Sequence, residues 1–240
     1  MTANVLRERL AEGIEVLRLN RPAKRNALDT ATLTQLLAAL DHLAADTGLR
    51  ALIISTTDMQ ALCAGADVSE ALDTAGGIER MALFCRLYAA IEAFPAPTIA
   101  VCVGNCVGAG AEIAAGCDLR VGGDNLKLAW AGARLGVPVG PARLAQLIGV
   151  SRAKELLFTG RVVGTAEALE IGFMHRTSPV QRAESDAIEL AGAIAAQSVD
   201  GLRVIKQMFR DLDGTSERVA HENELLMQFQ RHGSGIPTSR

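Results

Sequence analysis

Glu112 is the only charged residue between Glu92 and Asp118. It stands inside the small-residue run Gly104-Asn-Cys-Val-Gly-Ala-Gly-Ala-Glu-Ile-Ala-Ala-Gly116. A carboxylate in such surroundings is expected to lose its water, which disfavours the charged form and moves its pKa toward that of a working acid or base. The glycines ahead of it let backbone approach another group closely, and the first N–H groups of a helix point outward without partners. An acid beside free amide donors suits chemistry that develops an oxyanion. The same pattern also fits a buried glutamate paired with an arginine, and both readings stay open at this point.

The elements that must hold Glu112 are limited by the bulk of the chain. Its 240 residues suffice for one large domain with a small appendage. Hydrophobic residues make up 49%, yet aromatics are only 3%, so much of the apolar content is alanine and tight backbone packing is favoured. The longest uncharged stretch, Ala93 to Ala111, is interrupted by Pro95, Pro97 and glycines, so no membrane-spanning helix and no membrane partner are expected. The N-terminus lacks a basic-then-apolar leader. A net charge of −3 with both signs interspersed argues against a nucleic-acid partner. Five cysteines without CxxC spacing form neither a disulfide framework nor a zinc site, and a cytoplasmic location is expected. Cys102 and Cys106 read as small core residues; Cys63 reads as a loop thiol with no histidine nearby to activate it.

Periodicity supplies alternating strands and helices. Ile14–Leu19, Ala51–Ser55, Thr98–Val103, Leu119–Val121 and Leu126–Leu128 read as strands. Asp29 caps a helix to about Asp46 with Leu33, Leu36, Leu37, Leu40 and Leu43 on one face, and Ile78–Phe94 and Gly108–Gly116 are also helical. This alternation predicts an α/β domain with layered sheets. From about Ser151 the chain reads as helices only: Ser151–Thr159, Thr165–Ile171, Gln181–Ala196 and Val199–Arg210. The expected division is a core over residues 1–195 and a C-terminal helical region over 196–240.

Several blocks together resemble the crotonase superfamily, the enoyl-CoA hydratase/isomerase family: Arg21-Pro-Ala-Lys-Arg-Asn-Ala-Leu28, Leu62-Cys-Ala-Gly-Ala-Asp-Val68 and Gly108-Ala-Gly-Ala-Glu-Ile-Ala-Ala-Gly-Cys-Asp118. Leu157-Phe-Thr-Gly160 and Ala166-Glu-Ala-Leu-Glu-Ile-Gly172 fit the helical region of that family, in the same order. The resemblance implies a crotonase-like spiral of ββα units with a helical C-terminal region, acting on acyl-CoA thioesters. Coenzyme A then enters as part of the substrate, with no covalently bound cofactor and no metal. It also implies a homotrimer or a dimer of trimers, with residues 196–240 as the trimer contact.

Carried over residue by residue, the resemblance makes Glu112 the acid/base and the N–H groups of Ala64 and Ala109 the oxyanion donors. Alanine stands at Ala109 where glycine is usual, and its N–H survives if its φ is negative. Lys24 and Arg25 are placed near the coenzyme phosphates. Ala27, Ala64, Gly65, Ala66, Asp67 and Val68 are placed along the coenzyme, Asp67 reading also as a helix cap. Trp130 and Gly132 are placed at the acyl pocket, Trp130 reading also as a core residue.

The chain departs from the family at the second catalytic glutamate. Aligning Ala131-Gly-Ala-Arg-Leu-Gly136 on its final Leu-Gly puts Gly132 where that acid belongs. Adding water across an enoyl thioester needs a base for the water and an acid for the α-carbon. Losing one carboxylate would lower hydration by about 10²–10⁴-fold. Glu70 and Arg134 are the candidate substitutes. The expected activity is therefore hydration or isomerisation of an enoyl-CoA with one glutamate, against the alternatives of an acyl-CoA isomerase or decarboxylase and a weakly catalytic or non-catalytic acyl-CoA binder. The family's basic terminal helix is not matched by Gly233–Arg240, which suggests weaker coenzyme A affinity.

Overall fold

A computed structural model describes residues 3–236 of the chain. It begins with the strands β1 (Val5–Arg9) and β2 (Ile14–Leu19), an antiparallel pair, and then the helix α1 (Thr30–Ala44). The Asp29 carboxylate accepts the Thr32 N–H at 2.8 Å, the N-cap expected for α1. The five leucines read as one face of that helix are all buried.

Three turns of a ββα spiral follow. The first is β3 (Ala51–Thr56), β4 (Ala61–Cys63) and α2 (Thr74–Glu92); the second is β5 (Thr98–Cys102), β6 (Asn105–Val107) and α3 (Ala109–Gly116). The third is β7 (Leu119–Gly123), β8 (Lys127–Ala129), a 3₁₀ turn over Ala131–Leu135 and α4 (Pro141–Ile148). In each turn the first strand joins a six-stranded sheet of order β1-β2-β3-β5-β7-β9, and the second joins a three-stranded parallel sheet of order β4-β6-β8. Then come α5 (Val150–Thr159), α6 (Thr165–Glu170), β9 (Arg176–Ser178), α7 (Ala183–Ala195), α8 (Val199–Asp213) and α9 (Thr215–His232).

The large sheet is buried on both faces, which explains the unbroken apolar runs of β3 and β5. Leu52, Ile54, Ala100 and Cys102 face the core shared with α1, α2 and α3. Ile53, Ile99 and Val101 face α7, which lays Ala183, Ala187, Ala191 and Ala195 against them. Alanine at every fourth position lets that helix sit close on the sheet.

The region after Ser151 is not helical throughout. Arg176–Ser178 forms β9 and pairs with β7 in parallel, so this segment completes the main sheet. Three residues with alternate partners on one edge carry too little periodicity to be seen in the sequence. One helix was hidden, α4, only eight residues long and opened by Gly140-Pro141; α9 lies in the helical region expected over 196–240, but its polar sequence, which buries only Val219, Glu222 and Leu226, gave it no bounds. The α9 helix packs along α2 and α4. Of the terminal segment Gly233–Arg240, residues 237–240 lie outside the described residues.

Candidate active site

Parallel pairing of β4 with β6 brings their carboxyl ends side by side. Two loops therefore meet: Ala64–Val68 after Cys63, and Gly108 with the start of α3 after Val107. A Cβ built on Gly65 would stand 3.9 Å from the Ala109 nitrogen. At Gly110 a Cβ would fall 2.2 Å from the Cys63 carbonyl oxygen, so only glycine lets α3 begin this close to β4.

These loops hold backbone N–H groups with different fates. Ala64 donates its N–H to the Arg25 carbonyl at 3.0 Å, so the expected oxyanion donor is already spent inside the fold. Two residues on, Leu28 donates to the Gly65 carbonyl and accepts from the Asp67 N–H, which turns the Ala66 N–H the other way. The Ala66 N–H makes no hydrogen bond among the described residues, and Ala66 lines a cavity. Ala109 is the first residue of α3 with negative φ, so its N–H is one of the helix's unpaired donors, and it lines the same cavity.

The cavity measures about 210 Å³. Apart from backbone, its walls are apolar, with Met81 and Phe84 from α2, Val137 and Val139 ahead of α4, Leu226 from α9 and Ile236. Among the described residues that line it, Tyr88 has the single side chain with a dissociable proton, and none is a carboxylate.

Glu112 lies behind this wall with its side chain fully buried. One carboxylate oxygen accepts the Trp130 indole N–H at 2.7 Å. The other accepts Arg143 Nε at 2.6 Å and Nη2 at 2.5 Å. Arg143 also donates to Glu222 at 2.7 Å, and the second Glu222 oxygen accepts the N–H of Ala142 at 2.8 Å and of Gly140 at 3.2 Å. Burial raises the Glu222 carboxyl, helped by the Glu112 charge and opposed by Arg143, to about 7. The Arg143 guanidinium lies 4.9 Å from the Tyr88 ring centroid, a cation–π contact. Glu112 is thus ion-paired in this structure.

The other expected positions divide. Gly65 and Val68 line the cavity with Ala64, Ala66 and Ala109, and Gly132 does as well. Lys24 and Arg25 are exposed beside that loop, and Lys24 reaches Ser69 at 3.0 Å. The Ala27 carbonyl accepts from Arg21. Asp67 caps no helix, since α2 is capped by Asp73. Instead Asp67 closes a turn through the Ser69 N–H at 2.9 Å and pairs with Arg21 at 2.6 Å. Burial works against its charge, but these Ser69 and Arg21 bonds prevail and hold its carboxyl down to about 2. Trp130 does not line the cavity; it packs edge-on against Phe173, 5.4 Å between centroids, and serves Glu112.

Glu70 accepts from Arg80 and the Thr30 N–H, Arg134 donates to the Gly160 carbonyl, and neither lines the cavity. Cys63 ends β4 rather than lying in a loop, and burial pushes its thiol up to about 12. All five cysteines are buried and unpaired.

Sequence reasoning missed Tyr88, Arg143, Glu222 and the Ala66 donor. Tyr88 is the sole tyrosine, on the apolar face of α2 between Phe84 and Ile91, and that was the one available signal. Arg143 and Glu222 sit on α4 and α9, 79 residues apart.

The sequence profile of the enoyl-CoA hydratase/isomerase family matches residues 9–234. That match spans nearly the whole chain. The chain belongs to the enoyl-CoA hydratase/isomerase family, within the crotonase superfamily. It is 32% identical over 218 residues to the 2,3-dehydroadipyl-CoA hydratase of Escherichia coli, covering 90% of this chain and 84% of that protein. Its fold is similar to an enoyl-CoA hydratase from Bacillus anthracis, with a TM-score of 0.82, 26% identity and coverage of 99% and 100% of the two chains. A monofunctional enoyl-CoA isomerase from Mycobacterium smegmatis is similar as well, with a TM-score of 0.76, 28% identity and coverage of 89% and 95%.

Gly132, expected at the position of the family's second acid, is tightly enclosed. A Cβ there would stand 2.8 Å from the Val137 carbonyl oxygen and 3.1 Å from Val139 Cγ1. The wall has closed over the space that a side chain at this position needs. Among the described residues no group of three metal-binding side chains is assembled, and no helix is long and apolar enough to cross a membrane.

Proposed function

We propose that this protein binds a short-chain acyl-CoA with the thioester oxygen held by the N–H groups of Ala66 and Ala109, and that it stabilises the thioester enolate there. Each fixed donor aimed at a developing oxyanion contributes about 3–4 kcal/mol, because the dipole needs no reorganisation when charge appears. The coenzyme lies along Gly65 to Val68, with Lys24 and Arg25 at the cavity mouth for its phosphates. Glu112 serves as the charge partner of Arg143 and shapes the wall without touching substrate.

One observation carries this reading: two free N–H groups share a cavity that, among the described residues, no carboxylate lines. Water addition needs a base and an acid at the substrate, and neither carboxylate of the hydratase pattern is present there. Hydration of an enoyl-CoA is accordingly a minor activity, while acyl-CoA binding is retained.

Assembly as a homotrimer or dimer of trimers belongs to the same reading. The exposed face of α8 carries Val204, Ile205, Met208, Phe209 and Leu212, and a second copy of this chain is the occupant proposed for it. The five buried, unpaired cysteines support a reducing, cytoplasmic setting.

Calorimetric titration with butyryl-CoA, alongside crotonyl-CoA hydration followed by loss of enoyl thioester absorbance, tests the proposal. Binding with little hydration is expected. Rapid hydration that Glu112→Gln abolishes would return Glu112 to the acid/base role and overturn it.

A further inference from the structure

Gly132, Val137 and Val139 build a partition between two cavities. The Val137 N–H donates to the Gly132 carbonyl at 2.9 Å, and the Val139 N–H donates to the Val137 carbonyl at 3.0 Å. The second bond closes a three-residue turn whose centre, Pro138, has the fixed φ such a turn needs. This turn lies against residue 132 only because that residue is glycine, since a Cβ there would meet the Val137 oxygen at 2.8 Å and Val139 Cγ1 at 3.1 Å. On the far side of the turn lies another cavity, of about 420 Å³, between α5 and α9. Val137 and Val139 line both cavities, with Gly132 on the first and Ala133 on the second. The partition is therefore no thicker than these residues.

We propose that Val139 sets the acyl-chain length this protein accepts: it closes the first cavity against the α5–α9 cavity, and its truncation joins the two and admits a medium-length aliphatic tail. Val139 then limits the substrate of the acyl-CoA site proposed above, a reading on which this inference rests. In the wild-type chain a short acyl group fills the first cavity, and a longer one runs into Val139.

The α5–α9 cavity has the character that an aliphatic tail needs. Leu157 and Phe158 come to it from α5 and Leu225 from α9. Along α9 its lining runs from Arg218 through His221 and Glu222 to Leu225, and the next residue, Leu226, lines the first cavity. Arg218 thus stands about two helical turns from the junction, while Leu225 stands beside it. Glu222 is turned to Arg143 and to the N–H groups of Gly140 and Ala142. A tail that passes residue 139 therefore meets Leu225, Leu157 and Phe158, and its burial there is favourable. Volume agrees: the first cavity, about 210 Å³, is smaller than the usual ligand pocket of roughly 300–1,000 Å³, and the two joined fall within that range.

The test is calorimetric titration of wild type and Val139→Ala with butyryl-, hexanoyl-, octanoyl- and decanoyl-CoA. Each methylene taken out of water raises affinity about fourfold. Wild-type affinity should stop rising before decanoyl-CoA, because the tail has no room beyond Val139. Val139→Ala should bind decanoyl-CoA about 10²-fold or more tighter than wild type does, with butyryl-CoA binding unchanged. Adding Leu225→Glu, at a solvent-exposed position of α9, should cancel most of that gain and leave butyryl-CoA binding alone. A steady rise through decanoyl-CoA in wild type would overturn the inference and leave the acyl-CoA reading standing. So would Val139→Ala that binds butyryl-CoA normally yet gains nothing for decanoyl-CoA, or a gain that survives Leu225→Glu. Wild type that binds none of these thioesters would overturn both.

Discussion

Arg143 Nε lies 2.6 Å from a Glu112 carboxylate oxygen, and the pair is buried. A carboxylate bonded to a buried guanidinium on one oxygen and an indole N–H on the other has its orientation fixed by both partners. Arg143 also holds Glu222, so one cation serves two buried anions.

Removing that cation should be costly. Arg143→Met is expected to destabilise the fold by about 3–5 kcal/mol, because it leaves two carboxylates desolvated and unpaired. Urea denaturation of Arg143→Met, and of the triple variant that adds Glu112→Gln and Glu222→Gln, checks the cause. The triple variant should recover part of the loss.

Stability should also depend on pH through Glu222. Its carboxyl is raised to about 7 in the fold from an ordinary value of 4.5, with burial as the main cause. The folded state therefore holds the proton more tightly than the unfolded chain. This contribution is fully present below the unfolded value and is lost as pH rises through about 7. Relative to Glu222→Gln, wild type should lose roughly 1–3 kcal/mol between about pH 5 and pH 8, measured by denaturation at each pH.

Restoring the family's second acid should fail. With a Cβ at Gly132 only 2.8 Å from the Val137 carbonyl, Gly132→Glu must displace the wall that carries Val137 and Val139. It is expected to lower stability by about 1–3 kcal/mol without a gain in crotonyl-CoA hydration. Gly132→Ala in the same melting experiment isolates the cost of the first carbon.

The donor at Ala109 can be removed with little harm to α3, because proline is tolerated at the first helical position. Ala109→Pro should reduce acyl-CoA turnover by about 10²–10³-fold while the protein stays folded by circular dichroism. Full activity in this variant would exclude Ala109 as an oxyanion donor.

Local chemistry in the sequence was enough for much of the fold. The leucines of α1, the Asp29 cap, the apolar runs of β3 and β5 and the small-residue start of α3 are short-range signals, and each element forms where those signals lie. The family blocks added the spiral.

What escaped the sequence depends on pairs distant along the chain. The partners of Glu112 are Arg143, which α4 delivers from 31 residues away, and Trp130. Which alanine N–H is free is settled by Leu28 and Arg25, whose backbones consume the bonds of Gly65, Asp67 and Ala64 but leave Ala66 untouched. Residue type and spacing determine which groups exist and which helices and strands carry them. Burial, partner and direction arise only when separate elements pack, since an N–H or a carboxylate is spent or available according to what lies within about 3 Å of it.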